Sequence, residues 1–434
     1  RTGPQANVKM TTPNLPRGTH LQYRVQQLTL EEVDLKQLAS THGTPLFVYS
    51  KAAMLDALAA YETGFKGRQS QICYAMKANS SLAVLQLFAK AGCGFDIVSG
   101  GELARALAAG ADAKKIIFSG VGKTREEMWA ALGAGIGCFN VESLAELDVL
   151  NEVALDFGER APISLRVNPD VDAKTHPYIS TGLKGNKFGI AHKEVVQAYA
   201  YAAQCPGLRV VGIDCHIGSQ IVDASPYLDA ADRMLDLVDA IEANGIALEH
   251  LDFGGGLGID YAGDTPPSAD ALWIKLFEKL DARGYGNRKI LIEPGRSLVG
   301  NAGVCLTEVL YMKPGEDKNF CIVDAAMNDL PRPTLYDAYH GIVPVDTTGD
   351  TPAQMVDVVG PICESGDWLG RDRSLAVQAG DILAVLSTGA YSMSMGSNYN
   401  SRNRPMEILV DGTEPHIIRE RDRTEDQWAN ERLL

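Results

Sequence analysis

The sequence predicts an α/β chain: a (β/α)8 barrel of the TIM type over residues 46–295, followed by an all-β domain, sandwich- or barrel-like, over residues 296–434 that the N-terminal segment, residues 1–45, joins. Three observations carry this. Short β-rich runs alternate with helix-patterned stretches eight times between residues 46 and 295. The runs end in polar or glycine-rich motifs, where a barrel places its working residues. After Arg296 the pattern changes to strands separated by Gly, Pro and Asp turns.

The eight strand candidates fall at residues 72–75, 95–98, 116–119, 137–140, 163–168, 210–216, 250–253 and 290–293. They are apolar enough to be covered on both faces, which favours a closed parallel barrel over an open sheet. The stretches between them carry helical spacing and helix starts. Ser80 is placed to cap residues 82–90, while Ser99 with Glu102 and Thr124 with Glu127 fit capping boxes. Beyond Arg296, strands are expected at residues 303–312, 320–324, 355–359, 381–386 and 405–410. The alternating stretch 20–27 is expected to return and pair with that sheet.

A chain of 434 residues that is 45% hydrophobic is long enough for two cores. Its 40 basic and 55 acidic residues give a net charge of −15 without a basic block, which argues against nucleic-acid or acidic-membrane partners. The eight cysteines are scattered without a CxxC pair and no signal-like stretch opens the chain, so a cytoplasmic setting is expected. Residues 1–9, polar and preceding Met10, read either as an added segment before a native start or as a disordered tail.

Lys77, in Tyr-Ala-Met-Lys-Ala-Asn, ends an apolar strand in a short polar turn, where an amine can condense with an aldehyde. Burial or a neighbouring positive charge is expected to lower its proton affinity for that purpose. Gly254, Gly255 and Gly256 follow a strand and offer unobstructed backbone to a phosphate. Glu293, in Glu-Pro-Gly-Arg, is placed to face a pyridine nitrogen and keep it protonated, and Gly295 and Arg296 to help close the phosphate site. His216 is placed to stack on an aromatic ring, and Ser219 to offer a hydroxyl to the phosphate. No HxH or HExxH spacing accompanies them, so no metal site is expected. Cys363 and Glu364 stand side by side in a loop of the β domain, where a thiol can return a proton to a carbanion. Arg332, Tyr336 and Tyr391 add a guanidinium suited to a carboxylate and two hydroxyls. Together these segments spell a pyridoxal-phosphate enzyme.

With six motifs in chain order, Tyr74–Asn79, His216–Gln220, Gly254–Gly256, Glu293–Arg296, Cys363–Ser365 and Gly389–Tyr391, the sequence from about residue 46 to 406 resembles the diaminopimelate decarboxylases, in the alanine-racemase-like, fold-type III group of pyridoxal-phosphate enzymes. The resemblance implies that Lys77 is the Schiff-base lysine, that His216 stacks on the cofactor, and that Ser219, Gly254–Gly256, Gly295 and Arg296 surround its phosphate. Glu293 would hold the pyridinium. It further implies that Cys363 is the proton donor, that Arg296, Arg332, Tyr336, Glu364 and Tyr391 read the far end of meso-diaminopimelate, and that Tyr391 also touches the cofactor. The family implies homodimers with shared sites, Cys363 and Glu364 reaching the partner's barrel, and a mobile lid at residues 175–182. Rival readings are a decarboxylase of ornithine, arginine or carboxynorspermidine, an alanine racemase, and a cofactor-free binding protein. Glu293 argues against the racemase, and Lys77 with Cys363 against the last.

Overall fold

The structure, a computed structural model, describes residues 13–171, 185 and 187–434. The expected added segment at residues 1–9 and the lid at residues 175–182 lie outside the described residues. Eight parallel strands form the barrel: Ser70–Ala75, Gly94–Ile97, Ile116–Phe118, Cys138–Val141, Ala161–Asn168, Leu208–Cys215, His250–Asp252 and Lys289–Ile292. Neighbours in the chain are neighbours in the sheet. The eighth closes on the first, with Ile290 opposite Ser70 and Ile292 opposite Ile72. Every strand anticipated from the sequence is present within two residues of its expected ends.

The helices between them start where short polar side chains take up free backbone N–H groups. Ser99 accepts from Glu102 N, Ser143 accepts from Glu146 N, and Thr124 with Glu127 forms a reciprocal capping box. Ser80 does not cap the helix Leu82–Lys90. Ser81 holds that position, without a side-chain cap, and its N–H is instead taken by Asn79 Oδ1 at 3.2 Å. Helix faces such as Met54, Leu58 and Tyr61 pack with the strands into the main core, while Cys73, Ile117, Cys138, Val211 and Leu291 form a separate small buried cluster.

The expected barrel start at residue 46 is corrected by the structure. Leu46–Ser50 pairs antiparallel with Gly303–Lys313 and parallel with Met406–Asp411, so it is a central strand of the β domain. A buried apolar run of five residues carries no mark of which sheet it joins. The order of that sheet is Trp368–Leu375, Gln354–Val359, Asn319–Val323, Gly303–Lys313, Leu46–Ser50, Met406–Asp411, Glu414–Arg419, with Ile382–Leu386 bridging Gly303–Lys313 to Ile342–Pro344. The stretch 20–27 does not add a strand to it. Leu21–Arg24 pairs with Gln27–Leu30 in a small sheet of its own, which meets the β domain through a bridge from Gln27 to Asp346 and the bond Leu28 N to Val345 O at 2.8 Å. Leu28, Leu30 and Leu35 then share a core with Val304, Leu306 and Val345, so the N-terminal segment joins that domain by packing. Among the described residues no helix is long and apolar enough to cross a membrane.

Candidate active site

The carboxyl ends of the strands open into a cavity of about 440 Å³ lined by Lys77, Arg166, Phe188, His216, Ser219, Arg296, Tyr336 and Tyr391, among others. Lys77 extends into it from the turn after the first strand. That turn is fixed from both domains. Ala75 N donates to Pro294 O at 2.9 Å, Asn79 Nδ2 to Gly389 O at 3.1 Å, and Tyr391 N to Ala78 O at 2.8 Å. Tyr391 takes φ +56, a left-handed conformation that a tyrosine adopts only under such constraint.

The expected depression of the Lys77 amine is not what the structure gives. Burial pushes its pKa down, but Tyr391, Asp96 and Glu293 outweigh burial and the opposing Arg166, leaving it above the ordinary value. Its acidic surroundings win over its enclosure.

Glu293, 1% exposed, meets His216 Nε2 through one carboxylate oxygen and accepts from Asn140 Nδ2 at 3.2 Å through the other. Burial and the carboxylates of Asp214 and Asp96 push its proton affinity well up, whereas burial, Arg166 and Lys77 push that of His216 well down. Imidazole and carboxyl share a hydrogen bond, and both shifts disfavour the charged pair. Asn140 also donates to Ser119 Oγ at 3.3 Å, and Ser119 donates to Asp96 at 2.7 Å, so a polar chain crosses the barrel mouth from strand to strand.

Gly254 and Gly256 take φ +70 and +94, and an added Cβ would sit 2.4 Å from Cys215 O and 2.3 Å from Gly218 O. At Gly255 it would meet Glu293 O at 2.2 Å. The three glycines thus let the loop press between the His216 and Glu293 turns, a packing need beyond the open backbone the sequence suggested. Gly295 similarly lies against Ala75 and Ala78 beside the lysine turn.

Arg296 donates to Ser219 Oγ at 2.9 Å and to the Tyr261 hydroxyl, and lies over the Tyr391 ring at 4.6 Å. Arg332 bonds His340 Nε2 at 3.1 Å and lies over the Tyr261 ring at 4.3 Å. Burial pushes the Arg332 pKa down to about 10. Both guanidiniums are about 95% buried, each leaves its Nε without a partner, and neither meets a carboxylate among the described residues. Two sequestered cations without counter-ions are the signature of a site built for anions. Arg332 itself stands behind Arg296 and Tyr261, outside the cavity wall.

Cys363 and Glu364 are not brought to this cavity within one chain. Their loop, between Gln354–Val359 and Trp368–Leu375, is tied down by buried Asp367, which accepts from Ile362 N at 2.8 Å and Met327 N at 2.7 Å. Cys363 is exposed, in contrast to the seven other thiols, and Glu364 accepts from Tyr399. Sequence reasoning missed Asn140, Ser119, Tyr261, His340, Asp214 and Asp252. The two aspartates carried a signal, each lying two residues before a motif residue on the same face of its strand.

An amine and a protected acid at one cavity, next to buried cations awaiting anions, suit pyridoxal phosphate, whose aldehyde, ring nitrogen and phosphate need those three kinds of group. The class is confirmed by comparison: residues 52–300 match the family of the pyridoxal-dependent decarboxylases, in their pyridoxal binding domain, so the chain is a pyridoxal-phosphate-dependent decarboxylase. It is 56% identical over 404 residues to the diaminopimelate decarboxylase of Neisseria meningitidis serogroup B, covering 93% of this chain and 97% of that one. Among solved structures, the diaminopimelate decarboxylase of M. jannaschii in complex with L-lysine superposes with a TM-score of 0.91 at 38% identity, covering 97% and 99% of the two chains. That of Helicobacter pylori, also with L-lysine, gives 0.87 at 41% identity over 91% and 98%. The chain belongs to the diaminopimelate decarboxylase family.

Proposed function

We propose that this chain decarboxylates meso-2,6-diaminopimelate to L-lysine and carbon dioxide, the last step of lysine biosynthesis, as a cytoplasmic homodimer. The observation that carries this reading is the pair of buried guanidiniums, Arg296 and Arg332, beside a cavity that Lys77 enters. A substrate with a second, distal amino-carboxylate end supplies an anion to such a place, and a simple diamine precursor does not.

Pyridoxal phosphate, when bound, supplies the electron sink that lets a carboxylate leave as carbon dioxide. The chain does the rest. Lys77 would hold the cofactor through its amine and release it to the substrate amine. Glu293 would hold the proton at the ring nitrogen, with Asn140 pinning one of its oxygens and fixing the carboxyl plane. His216, kept neutral, offers a flat face to the ring. Ser219, the glycine loop, Gly295 and Arg296 surround the phosphate. Arg296, Arg332, Tyr336, Glu364 and Tyr391 orient the distal end.

Cys363 Sγ returns a proton to the carbon that lost its carboxylate, acting in the partner's cavity. Its exposure and its absence from the cavity of its own chain support that placement. Eight free thiols with seven buried suit a reducing compartment. The test is carbon dioxide release from meso-diaminopimelate beside ornithine, arginine and lysine. Preference for a substrate without the distal carboxylate would overturn the reading.

A further inference from the structure

Beneath the Glu293 carboxyl, Asp214 and Asp252 extend the acid into the barrel, with atoms of all three within 4.8 Å of one another. Asp214 and Asp252 are 0% exposed and lie opposite each other in neighbouring strands. Their hydrogen bonding is graded. Glu293 has two partners, Asn140 and His216; Asp252 accepts from Gly254 N at 2.8 Å through Oδ1; neither Asp214 oxygen has any.

Among the described residues no cation is bonded to Asp214 or Asp252, although Arg166 partly offsets the charge of Asp214. Arg166, the nearest, is bonded to Glu142 at 3.0 Å, and Lys77 lies among Tyr391, Asp96 and Glu293. Asp96 adds a fourth acid from the second strand, occupied by Ser119. The thiols of Cys73, Cys138 and Cys215 are pushed up first by burial and then by these acids. Asp214 and Asp252 are fully enclosed and Glu293 is 1% exposed, and three charges at this separation in a buried site repel strongly.

We propose that Asp214 and Asp252 are positioning residues for Glu293: two uncharged carboxyl groups that leave Glu293, the member with two partners and the cavity beside it, as the one acid able to carry charge opposite the ring nitrogen. Asp252 also joins the two ends of the cofactor site, since the carboxyl that adjoins Glu293 holds the first N–H of the glycine loop. Burial, with Asp252 acting on Asp214 and Glu293 acting on Asp252, raises the proton affinity of both well above the usual carboxylate range. The proposal rests on the reading that Glu293 faces the ring nitrogen.

Asp214→Asn and Asp252→Asn test it in the holoenzyme, because an amide replaces a neutral acid of the same shape. An acid with a raised folded pKa binds its proton more firmly folded than unfolded, so the wild type loses stability as pH rises above ~3.9, the unfolded aspartate value. Each variant is expected to melt higher than wild type at pH 8, by at least about 2 °C, with the gain shrinking as pH falls toward ~4. Cofactor affinity, read from visible absorbance, is expected to stay within about threefold of wild type, since no charged group has been removed. A lower melting temperature at pH 8, or a loss of affinity beyond about thirtyfold, would show that these groups act as charges and overturn the proposal. Infrared spectra of the wild type with carbon-13 aspartate give a second test. A protonated-carboxyl band must be present and weaken in each variant, and its absence defeats the idea even if a variant fails to fold. None of these readouts uses substrate, so they stand or fall separately from the decarboxylation assay.

Discussion

Arg332→Met separates recognition of the distal carboxylate from stability, because the structure assigns the two effects opposite signs. Arg332 is 5% exposed, has one side-chain partner in His340, and is pushed by burial down to about 10 from its ordinary value of ~12.5. At about 1.4 kcal/mol per pH unit, enclosing this charge costs the empty chain on the order of 3 kcal/mol. A guanidinium remains charged at neutral pH, so that cost is present there in full. Methionine fills much of the same volume without the charge. The loss of the His340 bond and the stacking on Tyr261 offsets about 1–2 kcal/mol, so the variant should be no less stable than wild type.

Catalysis should move the other way. Arg332 reaches the distal carboxylate by leaving the Tyr261 ring and His340 when substrate binds, and the charged hydrogen bond made there is worth about 1.5–3 kcal/mol, which corresponds to a fall in kcat/KM for meso-diaminopimelate of roughly 10- to 150-fold. Lysine, which lacks that carboxylate, supplies the control: its slow decarboxylation should be nearly unaffected. Steady-state carbon dioxide release with both substrates, together with thermal melts, gives the comparison. An equal fall for both substrates, or a drop in melting temperature accompanying the loss, would refute the assignment.

Cys363→Ala should lower kcat by about 100- to 10,000-fold with little change in cofactor binding, as removal of a general acid does. Mixing that variant with Lys77→Ala and allowing subunits to exchange should restore about a quarter of the wild-type activity, because a hybrid dimer rebuilds one of its two sites; no recovery would confine each site to a single chain. His250, buried with its pKa pushed down to about 4 by burial and by Lys289, must be neutral in the fold. The stability it contributes is present above ~6.5 and is lost as pH falls toward 4, on the order of 3 kcal/mol in all, so His250→Leu should flatten the acid side of a melting profile and an unchanged slope would count against it. Gly256→Ala, forced against Gly218 O at φ +94, should weaken cofactor affinity and lower the melting temperature, as followed by visible absorbance and calorimetry.

The barrel was legible because each strand joined an apolar run to a polar end and each helix began at a capping residue. Leu46–Ser50 was not, since a strand buried on both faces reads alike in either domain. The edge strands Trp368–Leu375 and Glu414–Arg419 were hidden by exposed charged residues such as Arg371 and Glu414, which suppress the apolar signal that marks an inner strand. In the site, residues inside short motifs could be found by their neighbours. Asn140 and Ser119 could not, because one polar residue at a strand end has no companion in sequence and acquires its role only when eight strand ends meet. The proton affinity of Lys77 was misjudged for a related reason: the groups that raise it, Tyr391, Asp96 and Glu293, come from the β domain and from the second and eighth strands.

The central claim is that Lys77 is the amine that carries the cofactor. Borohydride reduction of the purified holoenzyme, followed by proteolysis and mass spectrometry, tests it most directly. The reduced cofactor should be found on the peptide containing Lys77 and nowhere else, and its attachment to a different lysine would contradict the account.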